Sequence, residues 1–511
     1  MDERLTRLQG LLDNAVCSAP EKIALRIGSS CTNYQQLDQM IGQVAAGFLD
    51  ENINRGDRIA WLLPNCLEAV LVTLACYRIG AIAVPLNYRY VSQEIQDVLM
   101  RVGASLIVYD AARSADVQHL LNALPMVLAV EVRGDNGTRF NQWLEGEAQA
   151  EKVPVKENEP ALILFTSGST GHPKGVVHSQ EGVYEAIDQS RSLFDFNSED
   201  IVLVGKPISH AGGLQTQMLP ALLAGGEVIL EMKPTPAEAV QLINAHQVTE
   251  YGLLASDLLD FVEYLESTSS ELPSLINAIG SGDAVPTDLH RRFRDCLGWE
   301  VMEGAGMTEV GCYYAANPRN GTRKWGSLGI AAPGMRLDIV RSDGSPCDSG
   351  EHGEIVLQAE SATIGYWNDS VATQELFRNE WLHTGDLAYR DDDGYIWFVG
   401  RKKLMIIRRG SNIAPAEVEA IIDEHPLVHA SVVVAVSNPC DGQIPVACVA
   451  LLSHQEEDTE QTLRFYVEQH LAGYKNPVHY LFLEVLPRTS TGKFDRHALA
   501  ELAGSQFVST E

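Results

Sequence analysis

A third of the way along the chain stands Leu162-Ile-Leu-Phe-Thr-Ser-Gly-Ser-Thr-Gly-His-Pro-Lys174-Gly-Val176. It opens as an unbroken apolar run of the kind a buried strand carries. The run then breaks into a loop of small hydroxyl and glycine residues that closes on Lys174. Glycines such as Gly168 and Gly171 let backbone N–H groups turn toward an anion, and Thr166, Ser167, Ser169 and Thr170 add hydroxyl donors. Such a loop suits the terminal phosphates of a nucleotide. It is not a Walker A loop, because the G-x-x-x-x-G-K-[ST] spacing is absent and Pro173 precedes the lysine. A plain polar surface loop has the same composition, so the surroundings must decide.

Downstream, Ile201–Val204, Glu227–Leu230, 251–254 and 276–279 read as strands, with helices over 237–245 and 258–265 between the later ones. Strand and helix alternating at this pitch predicts an α/β fold of parallel sheet layers covered by helices. Upstream, 67–86 is the most apolar stretch. Glu68 and Arg78 within it would be costly in lipid, so a buried helix followed by a strand is expected rather than a membrane span. Past Trp325, glycines at 326, 329, 334, 344, 350 and 353 punctuate short strands, which predicts a β-rich section over about 325–400 with a tight turn at 391–394. A last unit follows Gly400. There Pro415 suits the first turn of a helix, Glu417 and Glu419 favour its positive end, and Val418, Ile421 and Ile422 form one apolar stripe. Strands over 431–436 and 447–452 and a helix over 460–470 complete it. The expected organisation is a large N-terminal domain over 1–400, a hinge at 401–403 and a small, mobile α+β domain over 404–511.

Composition narrows the function. At 511 residues the chain exceeds what one hydrophobic core supports, and 45% hydrophobic content is ample for packed cores. With 68 acidic against 38 basic side chains the net charge is −30, which disfavours nucleic acid and anionic membranes as partners. The start, Met1-Asp-Glu-Arg4, lacks the pattern of a secretory signal, and the nine cysteines include no C-x-x-C pair. A reduced, cytoplasmic protein is the expectation.

Further segments follow the loop in order: Gly304-Ala-Gly-Met-Thr308-Glu309, His383-Thr-Gly-Asp386, Gly400-Arg-Lys-Lys403 and Pro487-Arg-Thr-Ser-Thr-Gly-Lys493. Gly56-Asp-Arg58 and Val84-Pro-Leu-Asn-Tyr-Arg89 precede it. Together these segments resemble the motifs of the adenylate-forming superfamily, most closely its acyl-CoA synthetases and fatty-acid–CoA ligases. The resemblance spans nearly the whole chain. It implies that a carboxylate is joined to AMP with loss of pyrophosphate and then passed to a thiol.

The resemblance also implies roles, each with a physical reason. The nucleotide would be held by Thr166, Ser167, Gly168, Ser169, Thr170, Gly171 and Lys174, by the strip Gly282-Asp283-Ala284 along adenine, and by Ala305, Gly306, Met307 and Thr308. Thr308 would donate to the α-phosphate. Glu309 is a hard oxygen ligand suited to Mg²⁺ on the phosphates. Asp386 would accept from the ribose hydroxyls, and Arg401 would add a ribose or phosphate contact. Lys493 is the leading catalytic residue: a positioned cation lowers the barrier to bringing two anions together. Lys403 matches the pivot about which the small domain turns between the half-reactions. Gly410, with Arg409 in place of another glycine, would flank the pantetheine arm of coenzyme A. Besides Arg409, two positions depart from the family's habit: Ala305 replaces an aromatic near adenine, and Leu404 stands where an acidic residue is frequent.

For the acyl group, Pro207-Ile-Ser-His210 resembles the pocket loop of acyl-CoA synthetases and carries no acidic residue to hold an α-ammonium. The small residues Gly212, Gly213, Gly304, Ala305 and Gly306 suggest a roomy apolar channel, hence a fatty or other bulky acid; His210 is either its gate or a packed neutral histidine. Coenzyme A is the expected acceptor, since no carrier-protein domain is appended. Loading of a separate carrier protein is the alternative enzyme, and a nucleotide-binding pseudoenzyme the non-enzymatic one. The oligomeric state is open, with a homodimer among the options.

Overall fold

The computed structural model describes residues 3–121, 123–134, 139–166, 173–281, 285–409, 411–438, 441–452, 458–489 and 493–507. The chain divides into two compact units, one of residues 1–337 and 357–382, the other of 338–356 and 383–511. Eight strands of the first unit carry residues of interest: β1 (Pro160–Thr166), β2 (Lys174–Ser179), β3 (Ile201–Val204), β4 (Glu250–Leu254), β5 (Asn277–Ser281), β6 (Met302–Gly306), β7 (Tyr313–Ala316) and β8 (Gly365–Tyr366).

The first unit is built on two sheets. In the seven-stranded sheet the order is β8-β2-β1, then Ile82–Pro85, Arg58–Leu62, Leu106–Asp110 and Leu128–Val132. In the nine-stranded sheet it is Ile330–Ala331, β7-β6-β5-β4-β3, then Glu227–Leu230, Ile23–Ile27 and Ser30–Asn33. The centres of both sheets are parallel, as the helix–strand alternation predicts. The hairpins β1–β2 and β6–β7 add antiparallel strands, because connections this short cannot make a parallel crossover.

Burial follows the period of two. Ile59 and Trp61 face a core shared with Val202, Val204 and Ile279 of the other sheet, while Ala60 and Leu62 face the helix Ser92–Val102 on the outside. Leu203 points the opposite way from Val202, into a third core with the helices Pro236–His246, Ala255–Thr268 and Thr287–Leu297. Helix Leu67–Ile79 belongs to the shared core and is buried almost all round, which is why its sequence shows no polar face. Arg78 leaves that core at the helix end, where it pairs with Asp38 and donates to the Ala150 carbonyl. Among the described residues no helix is long and apolar enough to cross a membrane, and the eight described cysteines are all free thiols.

The second unit joins about half of the glycine-punctuated section, where Trp381–Arg390 and Ile396–Arg401 pair antiparallel, to a five-stranded sheet. Its order is Ser411–Ile413, Ile406–Arg408, Gly442–Leu451 and Val428–Asn438, with His479–Phe482 beside Gly442–Leu451. Val433, Ala447 and Val449 pack on helices Pro415–Asp423 and Thr459–His470, while Val432, Val434 and Cys448 pack on helix Arg496–Phe507. The packing therefore draws its division earlier in the chain than the 401–403 motif. Residues 383–400 go with the C-terminal part because the start of helix Pro415–Asp423 lies against Gly400, where an added Cβ would come within 3.4 Å of the Ala414 Cβ.

Candidate functional site

In the first unit, Thr166 and Lys174 face each other across the β1–β2 hairpin. Ser167, Gly168, Ser169, Thr170 and Gly171 lie outside the described residues, as do Gly282, Asp283, Ala284 and Gly410. Just before β2, the Pro173 carbonyl accepts from Arg101 at 2.9 Å. Next to β2 runs β8, so the Lys174 ammonium comes to lie 4.8 Å from the centre of the Tyr366 ring. The Tyr366 hydroxyl in turn donates to Glu309 Oε1 at 2.8 Å. Burial and the Glu309 charge push that phenol well above its ordinary range.

Thr308 and Glu309 occupy a 3₁₀ turn, Thr308–Val310, directly after β6. Its backbone is gripped from two sides. His178 of β2, fully buried, donates from Nε2 to the Thr308 carbonyl at 2.7 Å, and Thr363 N–H donates to the Glu309 carbonyl at 2.7 Å. A carbonyl only accepts, so the Nε2-protonated tautomer is the one the contact requires. Burial pushes His178 down to about 4, so it is neutral at physiological pH. Lys174, Tyr366, Glu309, Thr308 and His178 thus form one connected array joining the ends of both sheets. Tyr366 and His178 have no place among the residues singled out from sequence. Neither carries a local signal: each matters only for what it touches.

Glu309 can serve a hard cation. Tyr366 engages one carboxylate oxygen and orients the group, and one carboxylate together with substrate phosphates is a sufficient ligand set for Mg²⁺. A separate acidic trio, Glu181, Glu185 and Glu360, has ligand spacing, but Arg7 already pairs with two of its members.

Val285, the first described residue after 282–284, donates its N–H to Glu303 Oε1 at 3.0 Å. Glu303 Oε2 meets His290 Nε2 at 3.1 Å, and the His290 ring stacks on Trp325. Ala305 and Met307 are half-buried around the β6–β7 hairpin, with Ala305 opposite Ala315. The glycines expected to leave a roomy channel answer to a different demand. An added Cβ would come within 2.4 Å of the Pro207 carbonyl oxygen at Gly213, 3.0 Å of the Ala315 carbonyl oxygen at Gly304, and 2.8 Å of the Cys312 carbonyl oxygen at Gly306. Close backbone packing already favours glycine at 213 and 306 and leaves a tight fit at 304, so their small size has a reason besides channel width. At Gly212 the nearest atom would be Lys206 Cδ at 4.0 Å. His210 is half-buried and immediately precedes the short helical turn Ala211–Gly213.

In the second unit, Asp386 is 6% exposed and opposite Arg401 in register. The exposed Arg401 donates from Nε to Asp386 Oδ1 at 2.9 Å. Lys403 is exposed on a 3₁₀ turn, Lys402–Leu404. Arg409 adopts φ +49°, in the left-handed region that favours glycine. Asp441 holds it there: its carbonyl accepts the Arg409 N–H at 2.9 Å, and its carboxylate accepts Arg409 Nε at 2.6 Å and Arg408 Nε at 2.9 Å. Both guanidinium groups keep the Asp441 carboxyl below its usual range. Lys493 is exposed, with its carbonyl accepting from Thr489 N–H at 2.7 Å and Thr489 Oγ1 at 3.2 Å.

The chain matches the AMP-binding enzyme family over residues 12–367 and the AMP-binding enzyme C-terminal domain over 417–493. It is 31% identical over 493 residues to an indoleacetate–CoA ligase of Aromatoleum aromaticum, covering 94% of this chain and 95% of that one. Its identity to the long-chain-fatty-acid–CoA ligase FadD13 of Mycobacterium tuberculosis is 30% over 480 residues, 92% of each chain. The solved structure of ATP-bound MatB from Rhodopseudomonas palustris superposes with a TM-score of 0.91 at 25% identity, covering 98% of this chain and 99% of that one.

Proposed function

The chain belongs to the AMP-binding enzyme family, and from that membership we propose an AMP-forming acid–thiol ligase that makes an acyl-CoA from a carboxylic acid, ATP and coenzyme A. A carboxylate oxygen attacks the α-phosphorus, the α–β anhydride bond breaks and pyrophosphate leaves. The sulfur of coenzyme A then attacks the acyl carbon, the bond to AMP breaks and the thiol proton passes to solvent. The observation that carries the reading is the Lys174–Tyr366–Glu309 array beside Thr308. It sets a cation, a carboxylate and a hydroxyl-bearing turn around the mouth of a glycine- and hydroxyl-rich loop.

In this reading Lys174 and Thr308 bind phosphate oxygens, and Glu309 would hold Mg²⁺. Bound there, the ion would neutralise charge on the phosphates. Asp386 receives the ribose hydroxyls and Arg401 steadies its carboxylate. Lys493 stabilises the charge that builds in adenylation, and a turn about Lys403 exchanges it for the thiol-binding face that carries Arg409 and Gly410. The acid has an apolar body; relatives named for indoleacetate and long-chain fatty acids support this. A reducing cytoplasm agrees with eight free described thiols.

The test is incubation with ATP, MgCl₂, coenzyme A and a panel of acids, read by pyrophosphate release and by mass spectrometry of the thioester. Acyl-CoA with stoichiometric AMP is expected. Acylation of a phosphopantetheinyl carrier protein without any acyl-CoA would replace the acceptor, and no pyrophosphate with any acid would overturn the ligase.

A further inference from the structure

The parallel strands β3, β4 and β5 end side by side, and carboxyl ends of parallel strands are where α/β folds take their ligands. Lys206, two residues past β3, reaches across the end of β4. It is 5% exposed, and its ammonium donates to Ser281 Oγ at 2.7 Å, on the last residue of β5. The same hydroxyl donates to the Leu253 carbonyl of β4 at 3.4 Å. Glu250 and Asp257 act on Lys206 electrostatically, yet its hydrogen bond goes to a neutral hydroxyl. Burial pushes Glu250 up to about 8, which leaves it largely protonated at neutral pH.

A π-helical turn, Leu214–Met218, carries two further buried polar groups, of which Gln217 lies over Gly252 of β4. Gln215 is 0% and Gln217 1% exposed, and the amide oxygen and nitrogen of both have no hydrogen-bond partner among the described residues. Buried amides and ammonium groups are stable only when something accepts from them or donates to them. Their seats are made by missing side chains. A Cβ on Gly252 would fall 1.7 Å from Gln217 Nε2, and one on Gly311 2.8 Å from Gln215 Nε2. The Lys206 stem passes beneath Gly212 of the loop that carries His210.

We propose that Lys206, with Gln215 and Gln217, binds a second anionic group at the end of the acid remote from the reacting carboxylate, making the substrate class carboxylic acids that end in a further carboxylate. This rests on the ligase reading and deepens it: an apolar body is kept, and its far end is charged. The far end is meant because burial increases inward. Lys174, Thr308 and Glu309 at the mouth are half-buried, whereas Lys206 and both glutamines are enclosed.

The experiment compares straight-chain monocarboxylates with α,ω-dicarboxylates of equal length, and benzoate with terephthalate, by kcat/KM for pyrophosphate release. At one length or in the aryl pair the dicarboxylate should exceed its partner at least tenfold. Lys206→Met should remove that preference by raising KM for the dicarboxylate, with monocarboxylate kinetics within about threefold of wild type. A wild-type preference for the monocarboxylate throughout overturns the proposal without any variant and leaves the ligase standing. Equal losses on both acids in a Lys206→Met protein of unchanged melting temperature also overturn it, since they would place the lysine on the reacting carboxylate. Silence with every acid would sink the ligase reading instead, and this proposal with it.

Discussion

Replacing Tyr366 with phenylalanine removes one hydroxyl and leaves the rest of the array in place. The ring stays under the Lys174 ammonium, and the backbone pairing of β8 with β2 does not involve the side chain. What goes is the 2.8 Å hydrogen bond to Glu309 Oε1. Hydrogen bonds to charged groups contribute about 1.5–3 kcal/mol, so an unheld Glu309 should slow adenylation by about 10- to 150-fold. If Glu309 ligates Mg²⁺, the MgCl₂ concentration for half-maximal rate should rise as well. ATP–pyrophosphate exchange over a MgCl₂ series measures both, and conversion of supplied acyl-adenylate with coenzyme A measures the second half-reaction alone. That second rate should stay within about threefold of wild type. Tyr366→Leu, which also removes the ring, should cost roughly a further 0.5–2 kcal/mol in exchange. The reasoning is refuted if Tyr366→Phe exchanges at wild-type rate across the series, or if both half-reactions fall equally.

Lys493→Ala should lose exchange by about 10²–10³-fold, the usual cost of removing one charge-stabilising donor, yet still convert supplied acyl-adenylate to acyl-CoA; parallel loss in the two assays would deny the lysine its separate role. Arg409→Gly relieves a left-handed backbone but gives up an exposed ion pair with Asp441, two terms of about 1 kcal/mol that oppose each other. Its urea midpoint should match wild type, while Arg409→Ala, which keeps the strain and loses the pair, should be less stable than both by about 1 kcal/mol; equal midpoints for the two variants would count against strain. His178 has a folded value depressed to about 4 from 6.5, so its contribution is present above 6.5 and is lost as pH falls toward 4. Between pH 7 and pH 5 that amounts to about 2 kcal/mol of unfolding free energy. His178→Gln, which donates without titrating, should show a shallower decline of stability over that interval, and identical slopes would contradict the burial argument.

Much of the fold was legible in residue order because its signals are short-range. Ile201–Val204 and Glu227–Leu230 read as strands from their short apolar runs, and the strand's period of two then sends Leu203 and Val202 to opposite cores. Pro415 opens its helix where a ring with no N–H is tolerated, and Arg78 marks where the buried helix Leu67–Ile79 meets polar partners. The ordered motifs likewise named Lys174, Thr308, Glu309, Asp386 and Lys493, since each sits in a local pattern.

What the residue order left open depends on contacts between distant parts of the chain. Tyr366 and Glu309 are 57 residues apart, and His178 and Thr308 are 130 apart. Such partners are created by sheet order, not by spacing, so no periodicity could announce them. The glycines at 213, 304 and 306 suggested open space from their size alone, whereas packing shows carbonyl oxygens already pressed against them. Lys206 reads along the chain as an ordinary lysine before a proline. It becomes a buried cation only because β3, β4 and β5 end together, and the free energy of a charge is set by its surroundings rather than by its neighbours in sequence.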